Sequence, residues 1–146
     1  MEQFKIEYFE QEHGANTFPE FRTLTKEEMD HVLRLLKTRL GLPDKSDAQE
    51  VLRTIDQKSF DVPGVDATED VFDLHSVLAR LGFSAERAFV NWNQFGSIDE
   101  FGVKDLCNSF DEIFYPPADD LEILDSKLTW LVSIRHYGAV RALALS

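Results

Sequence analysis

The sequence has a single cysteine, Cys107, and few of the residue patterns that enzymes use. One thiol cannot form an intramolecular disulfide or a cysteine-rich zinc site. The carboxylates that surround Cys107 in sequence favour a raised thiol pKa, so we expect a buried structural residue. The chain also lacks a Gly-x-Ser-x-Gly elbow and a phosphate-binding GxxxxGK[ST] loop, and its histidines have no metal-binding spacing. We therefore predict no enzymatic activity, no catalytic residue, no metal site and no cofactor.

Positive charge is also scarce. The 146 residues include 15 Lys and Arg against 27 Asp and Glu, which gives a formal net charge of −12. Nucleic acids and anionic membranes are bound by clustered Lys and Arg, so this charge argues against both as partners. It favours solubility and attraction to basic proteins.

Long apolar runs and a secretory signal are absent as well. The first residues, MEQFKIEYFEQEH, have neither a basic start nor an apolar stretch, and no apolar run is long enough to cross a bilayer. We therefore expect a cytoplasmic protein. The composition, 43% hydrophobic and 29% charged, is typical of globular proteins, and residues 1–146 are expected to form one domain.

The first half of the chain predicts mainly helices. Residues 4–9 alternate between apolar and charged side chains, which predicts a short strand. Thr25 and Glu28 have the spacing of a capping box and open a helix that Gly41 ends. Ser46 and Gln49 repeat the box before a second helix, residues 59–68 predict a loop, and a third helix fits 70–81 with Val71 facing inward.

The second half predicts most of a sheet. Alternation over 88–92 indicates a strand, whereas Ser97 and Glu100 resemble another capping box and predict a helix over 97–109. The sequence Tyr115-Pro116-Pro117 should break the chain. Three apolar runs at 121–124, 128–134 and 139–145, separated by turns, predict an antiparallel meander. The predicted fold is α+β: four or five antiparallel strands, mostly C-terminal, with the N-terminal helices packed on one face.

Negative charge is concentrated between Ser97 and Asp125. Nine acidic residues against Lys104 alone give this segment a charge of −8, and aromatic residues are interleaved with them. Such a surface could bind a basic protein face through charge steering and aromatic anchors. The alternative is that the carboxylates form a solvated flank and the rings face the core. We predict partner-binding roles for eight residues: Asp99, Glu100, Asp111, Glu112, Tyr115, Asp119, Asp120 and Glu122.

Part of the chain resembles a family of small acidic bacterial proteins. Residues 110–125, FDEIFYPPADDLEILD, and 128–138, LTWLVSIRHYG, contain an aromatic-Tyr-Pro stretch, a paired Asp-Asp, a Trp-bearing strand and a His-x-Gly turn. Some proteins with this pattern resemble immunity proteins of contact-dependent inhibition or other polymorphic toxin systems. The resemblance covers about residues 86–141. Asp119 and Asp120 are the matching positions expected to be most exposed.

The resemblance implies a cytoplasmic protein that binds and neutralises a cognate toxin domain. Toxins of such systems are often nucleases, and an acidic inhibitor could occupy their basic substrate-binding face. Two other functions remain open at this point. One is a structural or regulatory interaction protein, for example a homodimer that uses a sheet edge, and the other is a small hydrolase that uses Asp, Glu or His136. The oligomeric state does not follow from the sequence.

Overall fold

The computed structural model describes residues 1–116 and 118–145. In this part of the chain there are six helices and seven strands. In chain order they are α1 (Gln3–His13), β1 (Phe21–Thr23), α2 (Lys26–Leu40), α3 (Ala48–Lys58), β2 (Phe60–Asp61), α4 (Leu74–Leu81), β3 (Arg87–Trp92), β4 (Ser97–Gly102), α5 (Val103–Asn108), α6 (Phe110–Ile113), β5 (Leu121–Asp125), β6 (Trp130–Ile134) and β7 (Val140–Ala144).

The seven strands form one antiparallel sheet in the order β1-β4-β3-β5-β6-β7-β2. The class, α+β with an antiparallel sheet, is confirmed, and so is the meander β5-β6-β7. The sheet is larger than the predicted four or five strands, because β4 and the short edge strands β1 and β2 add to it. The edge strands come from the first half of the chain, where two or three residues leave little periodic signal.

Helices cover both faces of the sheet, so the predicted placement on one face is wrong. One core cluster joins α2 and α3 to Phe89, Leu124 and Leu131 of the central strands. The other joins α4, α5 and α6 to the alternate positions of the same strands, including Val90 and Ile123. Because β5 and β6 are buried at every residue, neither face of the central sheet contacts water.

Residues 4–9 belong to helix α1, not to a strand. The apolar alternation that predicted a strand also places Phe4 and Tyr8 one helical turn apart, where their rings pack edge to face at 5.9 Å. Lys5 and Phe9, with the same spacing, form the buried side of the helix. The contact that holds Lys5 inward comes from Asp119, 114 residues away, and no local pattern could reveal it.

Helix α2 begins and ends as the sequence predicts. The side chain of Thr25 accepts a hydrogen bond from the Glu28 backbone N–H, the Glu28 carboxylate accepts one from the Thr25 N–H, and Gly41 adopts a left-handed conformation after the last turn. Two other helix starts differ from the prediction. Asp47, not Ser46, caps α3, and α4 starts only after Asp73.

The predicted inward position of Val71 is therefore wrong, because this residue precedes α4 and is 84% exposed. The predicted helix over 97–109 is also only partly correct. Residues 97–102 form strand β4, and the helical residues follow in α5 and α6. The Glu100 carboxylate contacts Arg22 and Arg87 on the neighbouring strands instead of capping a helix. The sequence Tyr115-Pro116-Pro117 was predicted to break the chain, and α6 ends just before it, at Ile113. Pro117 lies outside the described residues.

Candidate partner-binding surface

A groove of about 320 Å³ lies between helices α1 and α6, and we call it the α1–α6 groove. Helix α1 contributes Phe4, Tyr8 and Glu12 at intervals of four residues, which places them along one side of the helix. The other wall comes from α6 and the residues after it. This wall contains three residues predicted from the sequence to bind a partner: Asp111, Glu112 and Tyr115.

The groove has an exposed aromatic surface. Tyr8 is 57% exposed and Tyr115 is 46% exposed, although both are large side chains that usually bury most of their area. The Phe4 ring packs edge to face against both, with ring centroids 5.9 Å from Tyr8 and 5.5 Å from Tyr115. These contacts restrict the rotamers of the two tyrosines, so they form a preorganised apolar surface at the wall of the groove.

Carboxylates surround this aromatic surface. Asp111 is exposed and has no ion-pair partner within residues 1–116 and 118–145. Both oxygens of Glu112 lie 2.9 Å from Nε2 of His13. Lys5 also lines the groove, but its ammonium group is buried and lies 2.6 Å from Asp119 Oδ2. The cation therefore points inward, and the rim that a partner would meet is negative.

One part of the rim could hold a metal ion. The ligand atoms of Glu12, His13 and Glu112 all lie within 4.8 Å of one another, and no other such group occurs in the described part of the chain. A histidine nitrogen with two carboxylates is a ligand set that zinc accepts. Spacing along the sequence could not reveal this group, because His13 and Glu112 are 99 residues apart.

Three of the eight predicted partner-binding residues are buried: Asp99, Asp119 and Glu122. A partner cannot reach them in this fold, and the expectation that Asp119 is exposed is wrong. Burial of these carboxylates also means that the segment 97–125 does not form a single acidic face. Phe110 and Phe114 of the same segment are buried in the core.

Each buried carboxylate has hydrogen-bond donors inside the protein. Asp99 accepts from Trp92 Nε1 at 2.9 Å and from the Thr23 hydroxyl at 2.6 Å. Asp119 accepts from Lys5 and from the backbone N–H of Tyr115, which fixes the chain as it leaves α6. A buried charge requires such partners, because its desolvation costs several kcal/mol otherwise.

The two remaining predicted residues, Glu100 and Asp120, and the buried Glu122 lie away from the groove. Glu100 is half-buried between Arg22 and Arg87. Asp120 accepts hydrogen bonds from the backbone N–H and ring of His136. Partial burial raises the pKa of Asp120, but these bonds and the nearby Arg135 charge outweigh it and hold the pKa below its ordinary value. Glu122 lies between Asn91 and Arg135, and its burial raises its pKa against the opposing effect of Arg135.

Sequence reasoning missed the contribution of α1 to the groove. The strand predicted over 4–9 placed Phe4 and Tyr8 on a buried face, whereas the helix leaves Tyr8 exposed beside Glu12. The signal that could have found them is the spacing of Phe4, Tyr8 and Glu12 at i, i+4 and i+8.

In comparisons with known proteins, no family model matches the chain, and no curated protein and no solved structure matches it significantly. No helix among residues 1–116 and 118–145 is both long and apolar enough to cross a membrane.

Proposed function

We propose that this chain is an immunity-type protein that neutralises a basic toxin domain by binding it through the α1–α6 groove. The main support is the pair of exposed tyrosines, Tyr8 and Tyr115, which both pack against the Phe4 ring. The carboxylates beside them have no Lys or Arg partner within the described part of the chain.

Binding affinity and association rate depend on different groups of this surface. Tyrosine is among the residues that contribute most to binding energy at protein interfaces, because it buries a large, rigid area at a low entropy cost. The carboxylates of Glu12, Asp111 and Glu112, together with the net charge of −12, attract a cationic surface and orient it during the encounter. A basic active-site face of a nuclease has the complementary charge. The resemblance of residues 86–141 to immunity-type proteins points to the same kind of partner.

The test uses the C-terminal domain of the protein encoded by the gene immediately upstream. We expect tight binding by isothermal titration calorimetry, an association rate that falls as salt rises, and rescue of cell growth when the two proteins are produced together. Absence of binding at low salt, with both proteins folded, would contradict the proposal.

Self-association through a sheet edge has less support. The edge strands β1 and β2 have only three and two residues, so a second copy could form few backbone hydrogen bonds there. Sedimentation velocity at micromolar concentration distinguishes the two functions, because the proposed inhibitor remains a monomer until the toxin domain is added.

A further inference from the structure

Three side chains at the rim of the α1–α6 groove have more hydrogen-bond acceptors than donors: Glu12, His13 and Glu112. We call them the His13 cluster. Both oxygens of Glu112 lie 2.9 Å from His13 Nε2, and one oxygen of Glu12 lies 3.9 Å from the same nitrogen. An imidazole nitrogen carries at most one hydrogen, so it cannot satisfy three carboxylate oxygens.

The two carboxylates of the His13 cluster have no basic side chain to pair with. Among residues 1–116 and 118–145, no Lys or Arg forms an ion pair with Glu12 or Glu112. The ammonium group of Lys5, which also lines the groove, is buried against Asp119. The net charge of −12 raises the concentration of cations around the protein. The cluster therefore favours a divalent cation.

The spacing of the three ligand atoms is close to that of a zinc site. Zinc bonds of about 2.0–2.1 Å place neighbouring atoms of a tetrahedral site about 3.3–3.4 Å apart. The distances from His13 Nε2, 2.9 Å to Glu112 and 3.9 Å to Glu12, lie on either side of this value. All three ligand atoms lie within 4.8 Å of one another. Small rotations of the side chains are therefore enough to bring them to zinc-bonding positions.

Buried contacts fix the two helices that present these ligands. Lys5 and Phe9 form the buried side of α1, and Phe110 and Ile113 are the buried residues of α6. The His13 ring packs against the Phe9 ring, one helical turn earlier, with centroids 4.3 Å apart. Ligands that are supported in this way need little reorganisation when a metal binds.

The chemistry of the ligands selects among divalent cations. Ca²⁺ takes six to eight oxygen ligands, and Mg²⁺ prefers an octahedral shell of oxygens. Imidazole nitrogen suits Zn²⁺ and other transition metals, and Zn²⁺ accepts four ligands that include histidine and carboxylates. One imidazole with two carboxylates therefore favours Zn²⁺ over Mg²⁺ and Ca²⁺.

We propose that the His13 cluster binds a zinc ion, which joins the end of α1 to α6. The three side chains leave the fourth tetrahedral position for a water molecule. The site goes beyond the proposed function, because zinc binding requires no partner protein. Asp111 and the net charge of the chain still attract a basic partner when zinc is bound. The tests of the zinc site use no partner, so they succeed or fail independently of the proposed function.

The first experiment locates the metal. Zinc chloride is titrated into the chelator-treated protein, and the ring signals of its four histidines are followed by ¹H–¹³C NMR. We expect the His13 signals to shift with one equivalent of zinc and the others to stay in place, whereas magnesium chloride should shift none. No saturable shift of the His13 signals up to about 1 mM zinc, or equal shifts with magnesium, would overturn the proposal.

Variants then test the ligands by isothermal titration calorimetry. His13→Phe keeps an aromatic ring beside Phe9 but removes the nitrogen, and Glu112→Gln removes a charged oxygen. Each should weaken zinc binding about tenfold or more, because loss of even a group that only orients a ligand costs about 10–100-fold. His31→Phe and Glu7→Gln change exposed residues outside the cluster and should leave the affinity unchanged. Wild-type affinity in folded His13→Phe and Glu112→Gln contradicts the assignment.

The second experiment tests whether zinc joins the two helices. His13 and Glu112 are 99 residues apart in sequence, so only the folded chain brings them together, and zinc should stabilise it. At free zinc of about a hundred times Kd, we expect Tm to rise by about 5–10 °C. The rise should be absent in His13→Phe and present in His31→Phe. An unchanged Tm of the wild type at saturating zinc would refute a zinc ion that joins α1 to α6.

Discussion

Removal of the ammonium group of Lys5 should destabilise the protein strongly. In Lys5→Met the apolar stem remains, but the carboxylate of Asp119 loses a cation that lies 2.6 Å from its Oδ2, and both side chains are almost fully buried. The change also removes the cation from the Trp92 ring, whose centroid lies 4.1 Å from Nζ. Breaking a buried ion pair from one side costs about 3–5 kcal/mol. Because a domain of ordinary size has a free energy of unfolding of about 5–15 kcal/mol, the variant should still fold.

The assay is urea unfolding followed by tryptophan fluorescence and circular dichroism at neutral pH. Lys26→Met is the matched control, because Lys26 forms an exposed pair with Asp30 at 2.9 Å and such pairs contribute less than about 1 kcal/mol. Addition of Asp119→Asn to Lys5→Met should recover much of the loss, since the buried charge is then removed. If Lys5→Met and Lys26→Met lowered the free energy of unfolding equally, the buried pair would not have the role described.

Three further perturbations test other parts of the structure. Asp125→Ala should lower the free energy of unfolding by roughly 3 kcal/mol, because the buried Asp125 carboxylate accepts hydrogen bonds from two backbone N–H groups and a threonine hydroxyl in the β5–β6 turn. A loss no greater than that of an exposed Asp→Ala control would contradict this. Gly138→Ala should cost at least twice the roughly 1 kcal/mol of Gly41→Ala. Both glycines have positive φ. A Cβ at Gly41 meets nothing, whereas one at Gly138 would displace the Asp66 carboxylate, which accepts hydrogen bonds from the N–H and the hydroxyl of Thr68, so equal losses in urea unfolding would refute a packing role for Gly138. Burial raises the pKa of Cys107 to about 11, so its thiol should react with a disulfide reagent at about pH 8 roughly a hundred times more slowly than an ordinary thiol. The reaction rate should still increase above about pH 9, and a rate that is constant from below about pH 9 would contradict the raised pKa.

Local sequence signals predicted the elements that local interactions determine. The capping box of Thr25 and Glu28 and the stop at Gly41 involve residues at the two ends of one helix, and both features form as expected. The meander β5-β6-β7 was predictable for a related reason, since adjacent strands joined by short turns bring their apolar runs together.

Long-range contacts decide the elements where the prediction was wrong. The Ser97 and Glu100 spacing matches a capping box, but pairing with β1 and β3 makes this segment a strand. Residues 4–9 form a helix whose Lys5 pairs with Asp119, a contact that joins residues 114 positions apart. The same limitation applies to the candidate site, because composition showed where acidic residues are concentrated but not which of them have partners. Composition therefore predicts surface positions for Asp99 and Asp119, whereas each is part of a buried network.

The binding role of the α1–α6 groove is tested most directly by reversing the charge on its rim. The affinity of the upstream-encoded toxin domain is measured for the wild type, for Asp111→Lys with Glu112→Lys, and for Glu27→Lys with Asp30→Lys as a control of equal charge change on α2. We predict that the groove variant loses at least a hundredfold in affinity, about 3 kcal/mol. The control variant should lose much less, because it changes only the long-range attraction between the two proteins. Equal affinities of the two variants, both folded by circular dichroism, would contradict the assignment of this groove as the interface.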